Sequence, residues 1–225
     1  MTRELLIRQF KQLHDEVLIL GSMVEQATFN AITTLKNRDV HAARLVYDDD
    51  ASINDKRFAI ENAIIITIAT QQPMAHDLRM LTGILEIITE LERIGDYAKG
   101  IAKVTIRLAD ADLPIPINKI EKMGEMGVDM LHRALSAFVD ENAQIASAIP
   151  AEDDAVDALY NEIYHELVRG MIADPRLIES ITLLMWVVHN LERLADRVTN
   201  ICERTVFIAT GELMEMDMSD DEDNE

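Results

Sequence analysis

Glu92 and Asp96 stand four residues apart, as do Asp153 and Asp157, Glu192 and Asp196 and, with an amide in one place, Asp50 and Asn54. On a helix this spacing puts both side chains of a pair on one face. Folding the chain back at Pro73 brings Asp50/Asn54, centred on position 52, level with Glu92/Asp96, centred on 94. Folding it at Asp174-Pro175 does the same for the pairs centred on 155 and 194. Each hairpin therefore sets two acidic pairs side by side, roughly 30 Å from its turn at the helical rise of about 1.5 Å per residue. On a helical wheel the apolar stripe Ile84, Ile88, Leu91, Gly95 and Ala98 leaves Glu92 and Asp96 to one side. The stripe of Ile53, Ile60 and Ile64 leaves Asp50 and Asn54 to the same rotational side, and in antiparallel neighbours such offsets converge. The acids are expected on the shoulder of a helical bundle, outside its core.

Clustered carboxylates repel one another, and two arrangements relieve the repulsion. Arg93, Lys99 and Lys103 can salt-bridge the first cluster, giving a solvated acidic face. Alternatively a bound cation supplies the charge, and clustered carboxylate oxygens suit Mg, Ca, Mn or Fe. A di-iron bundle enzyme would need two Glu-x-x-His motifs and two further Glu in the core. The chain has one such motif, Glu162-Ile163-Tyr164-His165, without a counterpart, and His14, His41, His76, His132 and His189 share no spacing. There is no Gly-rich phosphate loop, no Gly-x-Ser-x-Gly and no paired cysteine, so no catalytic or cofactor-binding residue is assigned.

The elements that must position these acids follow from composition and punctuation. The 225 residues are 48% hydrophobic and 28% charged but only 4% aromatic, with 8 Gly and 5 Pro, which favours long helices over a many-stranded fold. The net charge of −20 opposes binding to nucleic-acid phosphates. Eight of the 41 acidic residues fall between Gly211 and Glu225, which reads as a solvated, disordered tail. Cys202, the single cysteine, excludes an intramolecular disulfide and sits on an apolar helical pattern, as a buried inert thiol would. The charged N-terminus lacks a signal-peptide core. The longest uncharged run, 62–76, is too short and too polar to span a bilayer, so a soluble cytoplasmic protein is expected.

Six helical stretches are predicted. They cover Thr2 to Lys36, from Asp39 as N-cap to Gln71, Met74 to Ala109, Asn118 to Asp140, a fifth broken near Pro150 and ending at Ala173, and Pro175 to Thr210. Asp110 to Asn118, with Pro114 and Pro116, reads as an extended linker. A shift of 103 aligns Gly21 with Gly124, Met23 with Met126, Ala31 with Ala134, Leu35 with Phe138, Asp50 with Asp153 and Ile60 with Ile163. A shift of 100 then aligns Leu91-Glu92-Arg93-Ile94-Gly95-Asp96 with Leu191-Glu192-Arg193-Leu194-Ala195-Asp196. The chain reads as an all-α tandem repeat of two three-helix bundles, residues 1–112 and 113–210, followed by the tail 211–225.

At these residues the chain resembles the PhoU family of phosphate-transport accessory and regulatory proteins. The resemblance rests on Met23-Val24-Glu25, on the run from Gln71 to Arg79, on Leu91-Glu92-Arg93-Ile94-Gly95-Asp96 and, in the second half, on Met130-Leu131-His132, Asp153-x-x-Val156-Asp157 and Glu192-Arg193-Leu194-Ala195-Asp196-Arg197. It implies paired three-helix bundles whose E/D-x-x-x-D motifs bind multinuclear clusters of divalent or trivalent metal ions such as Fe, Mn, Mg, Zn or Ca. Carried onto this chain, the ligands are Asp50, Glu92 and Asp96 in the first unit and Asp153, Asp157, Glu192 and Asp196 in the second. Asn54 departs from the acidic pattern and offers one neutral oxygen, which implies a weaker first site. The resemblance also implies a homodimeric, non-enzymatic negative regulator of the phosphate-starvation response, linking the ATPase of a phosphate ABC transporter to a membrane sensor histidine kinase and meeting the membrane only through these partners. Control of phosphate export or polyphosphate accumulation is the alternative within the family, and a carboxylate-bridged metal oxidase the alternative outside it.

Overall fold

The structure, a computed structural model, describes residues 3–108 and 116–216. Seven α-helices follow in order: α1 (Arg3–Asn37), α2 (Val40–Gln71), α3 (His76–Arg107), α4 (Ile117–Val139), α5 (Ala143–Ala148), α6 (Asp153–Ala173) and α7 (Ile178–Thr210). Short 3-10 turns, Pro150–Glu152 and Pro175–Leu177, precede α6 and α7, and no strand occurs among the described residues.

The turns have local causes. Asp39 Oδ1 accepts the Ala42 N–H at 2.9 Å and caps α2, an interaction typically contributing about 1 kcal/mol. Gln72 adopts a left-handed conformation (φ 51), and the ring of Pro73 disfavours the right-handed helix at the residue before it. Ala75 takes a positive φ of 47 with ψ −111, outside the helical regions, so α3 begins at His76, two residues later than the proline alone suggested. Pro150 divides the fifth predicted stretch into α5 and α6, as a ring without an N–H does inside a helix. The Asp174 carboxylate accepts the Arg176 N–H at 3.1 Å and opens the turn into α7. Residues 110–115 of the predicted linker, and the tail from 217 onward, lie outside the described residues.

α1, α2 and α3 pack as one three-helix unit, and α4, α6 and α7, with the short α5, as the other. α3 lies on α7 and α1 on α4, so equivalent helices of the two repeats meet and their buried side chains form one continuous core. Close approach there depends on glycine. A Cβ on Gly124 would strike Ile32 of α1, and one on Gly100 would strike the Trp186 ring of α7. Fourteen residues of α3 and fifteen of α7 are buried against seven of α2, which makes α3 and α7 the central helices. The acids Glu92 and Asp96 of α3 and Glu192 and Asp196 of α7 sit at half-buried positions outside that core. Among the described residues no helix is long and apolar enough to cross a membrane.

Candidate functional sites on the two central helices

The first site joins α2 to α3. Asp50 is only 4% exposed, deeper than the shoulder position the wheel suggested. Its Oδ2 accepts a hydrogen bond from Lys99 Nζ at 2.7 Å and another from Asn54 Nδ2 at 3.1 Å. Lys99 also lies over the Tyr47 ring, 5.2 Å from its centroid, and the bond to Asp50 raises its pKa. Glu92 and Asp96 are half-buried beside this pair. Burial raises the Glu92 pKa, with the negative charge of Asp96 adding to it and Arg93 and Arg57 opposing. Burial, then the charge of Asp50, raises that of Asp96 against Arg93 and Lys99. Arg93 lies 3.7 Å from Glu92 Oε2 and 3.6 Å from Asp96 Oδ2. The compensation that the sequence offered as one of two arrangements is thus realised by Lys99 and Arg93. An ammonium and an amide N–H already hold the oxygen that a metal would need, so this site does not fit an ion cage.

The second site repeats the framework on α6 and α7 with different contents. Asp153, Asp157, Glu192 and Asp196 are all half-buried. Glu192 is pushed up to about 7, first by burial and then by the charges of Asp196 and Asp157, with Arg193 opposing. The His189 Nδ1 lies 3.2 Å from its Oε2, one turn earlier on α7. Under the shift of 100, the position of Lys99 is taken by Thr199. Thr199 is 4% exposed and its Oγ1 has no hydrogen-bond partner among the described residues. The other buried threonines, Thr28, Thr34, Thr67, Thr105 and Thr205, each donate to a carbonyl one turn back. A buried hydroxyl left without that bond costs about 1–3 kcal/mol, and here it stands beside acids where a hard cation would take oxygen ligands. The oxygen donors of this second site are of the type such an ion takes. As the side chains lie, no three His, Cys, Asp or Glu among the described residues converge closely enough to hold one. The acids run as a strip along the helix pair.

Several features escaped sequence reasoning. Thr199 carries no motif and gains meaning only as the counterpart of Lys99. His189 had no spacing partner, yet it meets Glu192 across one turn. Arg197 crosses between the repeats to Tyr97 (3.2 Å) and Glu90 (3.3 Å), a link only the α3–α7 packing creates. Glu162 and His165 are exposed, and Glu162 pairs with Lys119 of α4 at 2.7 Å, so they do not project into a bundle core as a di-iron site requires. Cys202 is fully buried, and burial pushes its thiol up to about 12, which suits an inert packing role.

Two three-helix units, joined face to face through equivalent helices and each carrying an acidic strip on its central helix, define a duplicated helical-bundle class. The sequence model of the PhoU domain matches the chain twice, at residues 17–105 and 120–205. The phosphate-specific transport system accessory protein PhoU homolog of Clostridium acetobutylicum is 36% identical over 217 residues, covering 96% of this chain and 99% of that protein. The Escherichia coli phosphate-specific transport system accessory protein PhoU is 34% identical, covering 91% of this chain and 85% of its own. The crystal structure of the phosphate transport system regulatory protein PhoU from Streptococcus pneumoniae superposes with a TM-score of 0.86 at 32% identity, over 93% of this chain and 99% of that one. The chain belongs to the PhoU family.

Proposed function

We propose that this protein is a cytoplasmic accessory regulator of phosphate transport, acting by contact and not by catalysis. In this reading it restrains the phosphate-starvation response when phosphate is plentiful, linking the ATPase of a phosphate importer to a membrane sensor histidine kinase. The observation that carries the reading is the match of both repeats to PhoU domains, supported by full-length similarity to relatives named for phosphate-specific transport. The exposed Phe58, Ile65 and Ile66 of α2 give one outer face the apolar character that self-association needs, and a homodimer is part of the proposal.

The acidic strip of the second repeat is the metal centre of this reading, with Asp153, Asp157, Glu192 and Asp196 as ligands. A bound divalent or trivalent ion, of the hard kind typified by Mn, Fe, Mg or Ca, would cancel their repulsion and fix the charge pattern presented to a partner. The first repeat presents Asp50, Asn54, Glu92 and Asp96 already neutralised in part by Lys99, so its surface keeps one charge state whatever the metal supply.

Deleting the gene in phosphate-replete cells tests the regulatory role. Alkaline phosphatase and phosphate uptake should rise to starved levels and fall again on complementation. Unchanged expression in the deletion strain would overturn the role. Sedimentation of the purified chain reports whether it self-associates.

A further inference from the structure

Where α1 crosses α4, between the two repeats, the surface opens into a groove of about 300 Å³. Its floor is apolar. Ile32 and Val128 line it, and Gly124 offers no side chain to fill it, since a Cβ there would already strike Ile32. The buried stripe of α1 runs through Val24, Thr28, Ala31 and Leu35, and Phe29 falls one residue off that stripe. Its ring therefore stands at the groove with 56% of its surface exposed.

The rim is acidic. Glu25, Glu121, Glu125 and Asp129 line the groove against a single imidazole, that of His132. Three of these acids hold pairs. Lys36 meets Glu121 at 2.8 Å, His132 lies 3.3 Å from Glu25, and Arg133 serves Asp129 at 2.8 Å while also binding Glu152. Each pair is largely open to solvent, so it is weak and exchanges readily with an incoming cation. Glu125 is exposed and makes no ion pair among the described residues. Two other exposed rings show what Phe29 lacks: Arg57 lies over Phe58, 4.9 Å from its centroid, and Lys99 over Tyr47 at 5.2 Å. Among the described residues no cation stands over the Phe29 ring, although carboxylates that would hold one there surround it.

We infer that this groove receives a basic amphipathic helix of a partner protein, its apolar side seated over Ile32 and Val128 and a flanking arginine or lysine stacked on Phe29 and paired with Glu125. A helix fits because the groove runs between two antiparallel helices, which present a ready furrow to a third. Charge decides among occupants. The same face of a second copy would set four acids against four, and a nucleic acid or an anionic bilayer would meet like charge on a chain of net −20. A segment with an apolar face and basic flanks complements both the floor and the rim. The inference rests on the proposed function only in taking the protein to act by contact, and it adds the surface and the charge of the partner.

The test measures, by fluorescence anisotropy, binding of a labelled Leu/Arg peptide to the purified full chain. The peptide is an amphipathic helix of about 18 residues, roughly five turns. Phe29→Ala removes the ring and Glu125→Lys reverses the rim charge. Both positions are exposed, so neither change touches the core, and each is expected to weaken binding about tenfold or more. Phe58→Ala and Asp48→Lys make comparable changes at exposed positions of α2 and are expected to bind as the unmodified chain does. A peptide of the same composition with its leucines scattered around the helix is expected to bind weakly. Full affinity in Phe29→Ala, equal weakening by all four variants, or equal affinity for the scattered peptide would reduce the effect to general charge and overturn the inference. No binding of the amphipathic peptide would overturn it as well. Loss of self-association in Phe29→Ala, seen by sedimentation, would give the groove to a second copy and overturn it too. Derepression in the gene deletion beside any of these results would leave the regulatory role standing, so the two ideas fail separately.

Discussion

The two acidic sites share a helical framework and differ in how they settle their charge. In the first repeat Asp50 is buried and its carboxylate is met by Lys99 at 2.7 Å, while the second position of that α2 pair is an amide, Asn54. In the second repeat Asp153 and Asp157 are both acids, and a threonine stands where the lysine would be. Glu92 and Glu192 register the contrast. Both are raised by burial, but Arg93 and Arg57 oppose the rise at Glu92, and only Arg193 opposes it at Glu192, which reaches about 7. Duplication has therefore preserved the helix register while the lysine of the first repeat gives way to a threonine in the second. Buried charge needs a partner, and these two sites hold different solutions to one requirement.

The comparison breaks most visibly at Lys99. Removing one partner of a fully buried ion pair costs about 3–5 kcal/mol because the other is stranded. Lys99 is a third exposed, so Lys99→Thr should cost about 2–3 kcal/mol after allowance for solvent screening. In a chain of this size that is a fall in Tm of roughly 5–10 °C by differential scanning calorimetry. The variant also gives the first site the threonine of the second, and Mn²⁺ should recover part of the lost stability. A Tm unchanged by the substitution would show that Asp50 does not depend on Lys99.

The reciprocal change, Thr199→Lys, places an ammonium in the cavity that Thr199 and Asp153 line. If the second site takes a hard cation, the unmodified chain should gain about 2.7 kcal/mol at a Mn²⁺ concentration a hundred times its Kd, and Thr199→Lys should lose that gain. Persistence of the thermal shift in this variant would put the ion elsewhere.

Glu192 separates the sites by pH. Its folded pKa of about 7 lies above the ordinary carboxylate value of 4.5, so the native state holds the proton more tightly than the unfolded chain does. Stability is therefore highest below pH 4.5 as far as this group is concerned. It falls as pH rises toward 7 and stays reduced above that. Glu192→Gln removes the penalty, and should stabilise the metal-free protein by about 1–2 kcal/mol at pH 8, discounted for partial exposure, with no gain at pH 4.5. Glu92→Gln should show the same sign with a smaller difference, because two arginines already oppose its rise. Equal effects at both pH values would dismiss the electrostatic origin.

Much of this was legible in the residues themselves. The mirrored spacing about Pro73 and about Asp174-Pro175 gave the hairpins, because helical rise is uniform and both turns carry a proline. The 103 and 100 residue shifts gave the duplication, and the acid pairs gave the strips. Lys99 was recognisable as a compensator because it lies one turn beyond Asp96 on the same face. The depth of Asp50 was not legible, since burial depends on how closely α2 lies against α3, and a wheel carries angle but no distance. Thr199 was silent because an ordinary helical threonine bonds its own backbone, and its failure to do so is a property of coordinates. The return of Met216, whose N–H donates to Glu203 Oε1 at 2.7 Å, escaped for a related reason. An acidic C-terminal stretch reads as solvated, and a left-handed glycine at 211 shows only that the helix ends, not where the chain goes next.

The smallest expected effect comes from Asn54→Asp, and it sharpens the comparison most. Alone, the change removes the amide N–H that serves Asp50 Oδ2 at 3.1 Å and sets a second carboxylate against the single charge of Lys99. The position is only half-buried, so the cost should stay below about 1 kcal/mol, in the range of one exchanged hydrogen bond. Combined with Lys99→Thr it reproduces in the first repeat the acid, acid and threonine set of the second. The two changes share Asp50, so their effects should not add. Without metal the double variant should be less stable than the sum of the singles predicts, and with Mn²⁺ it should regain more than either. A first repeat so altered that still ignores Mn²⁺ would mean that the two frameworks differ in more than these residues, and that the spacing of α2 from α3 matters as much as the charge they carry.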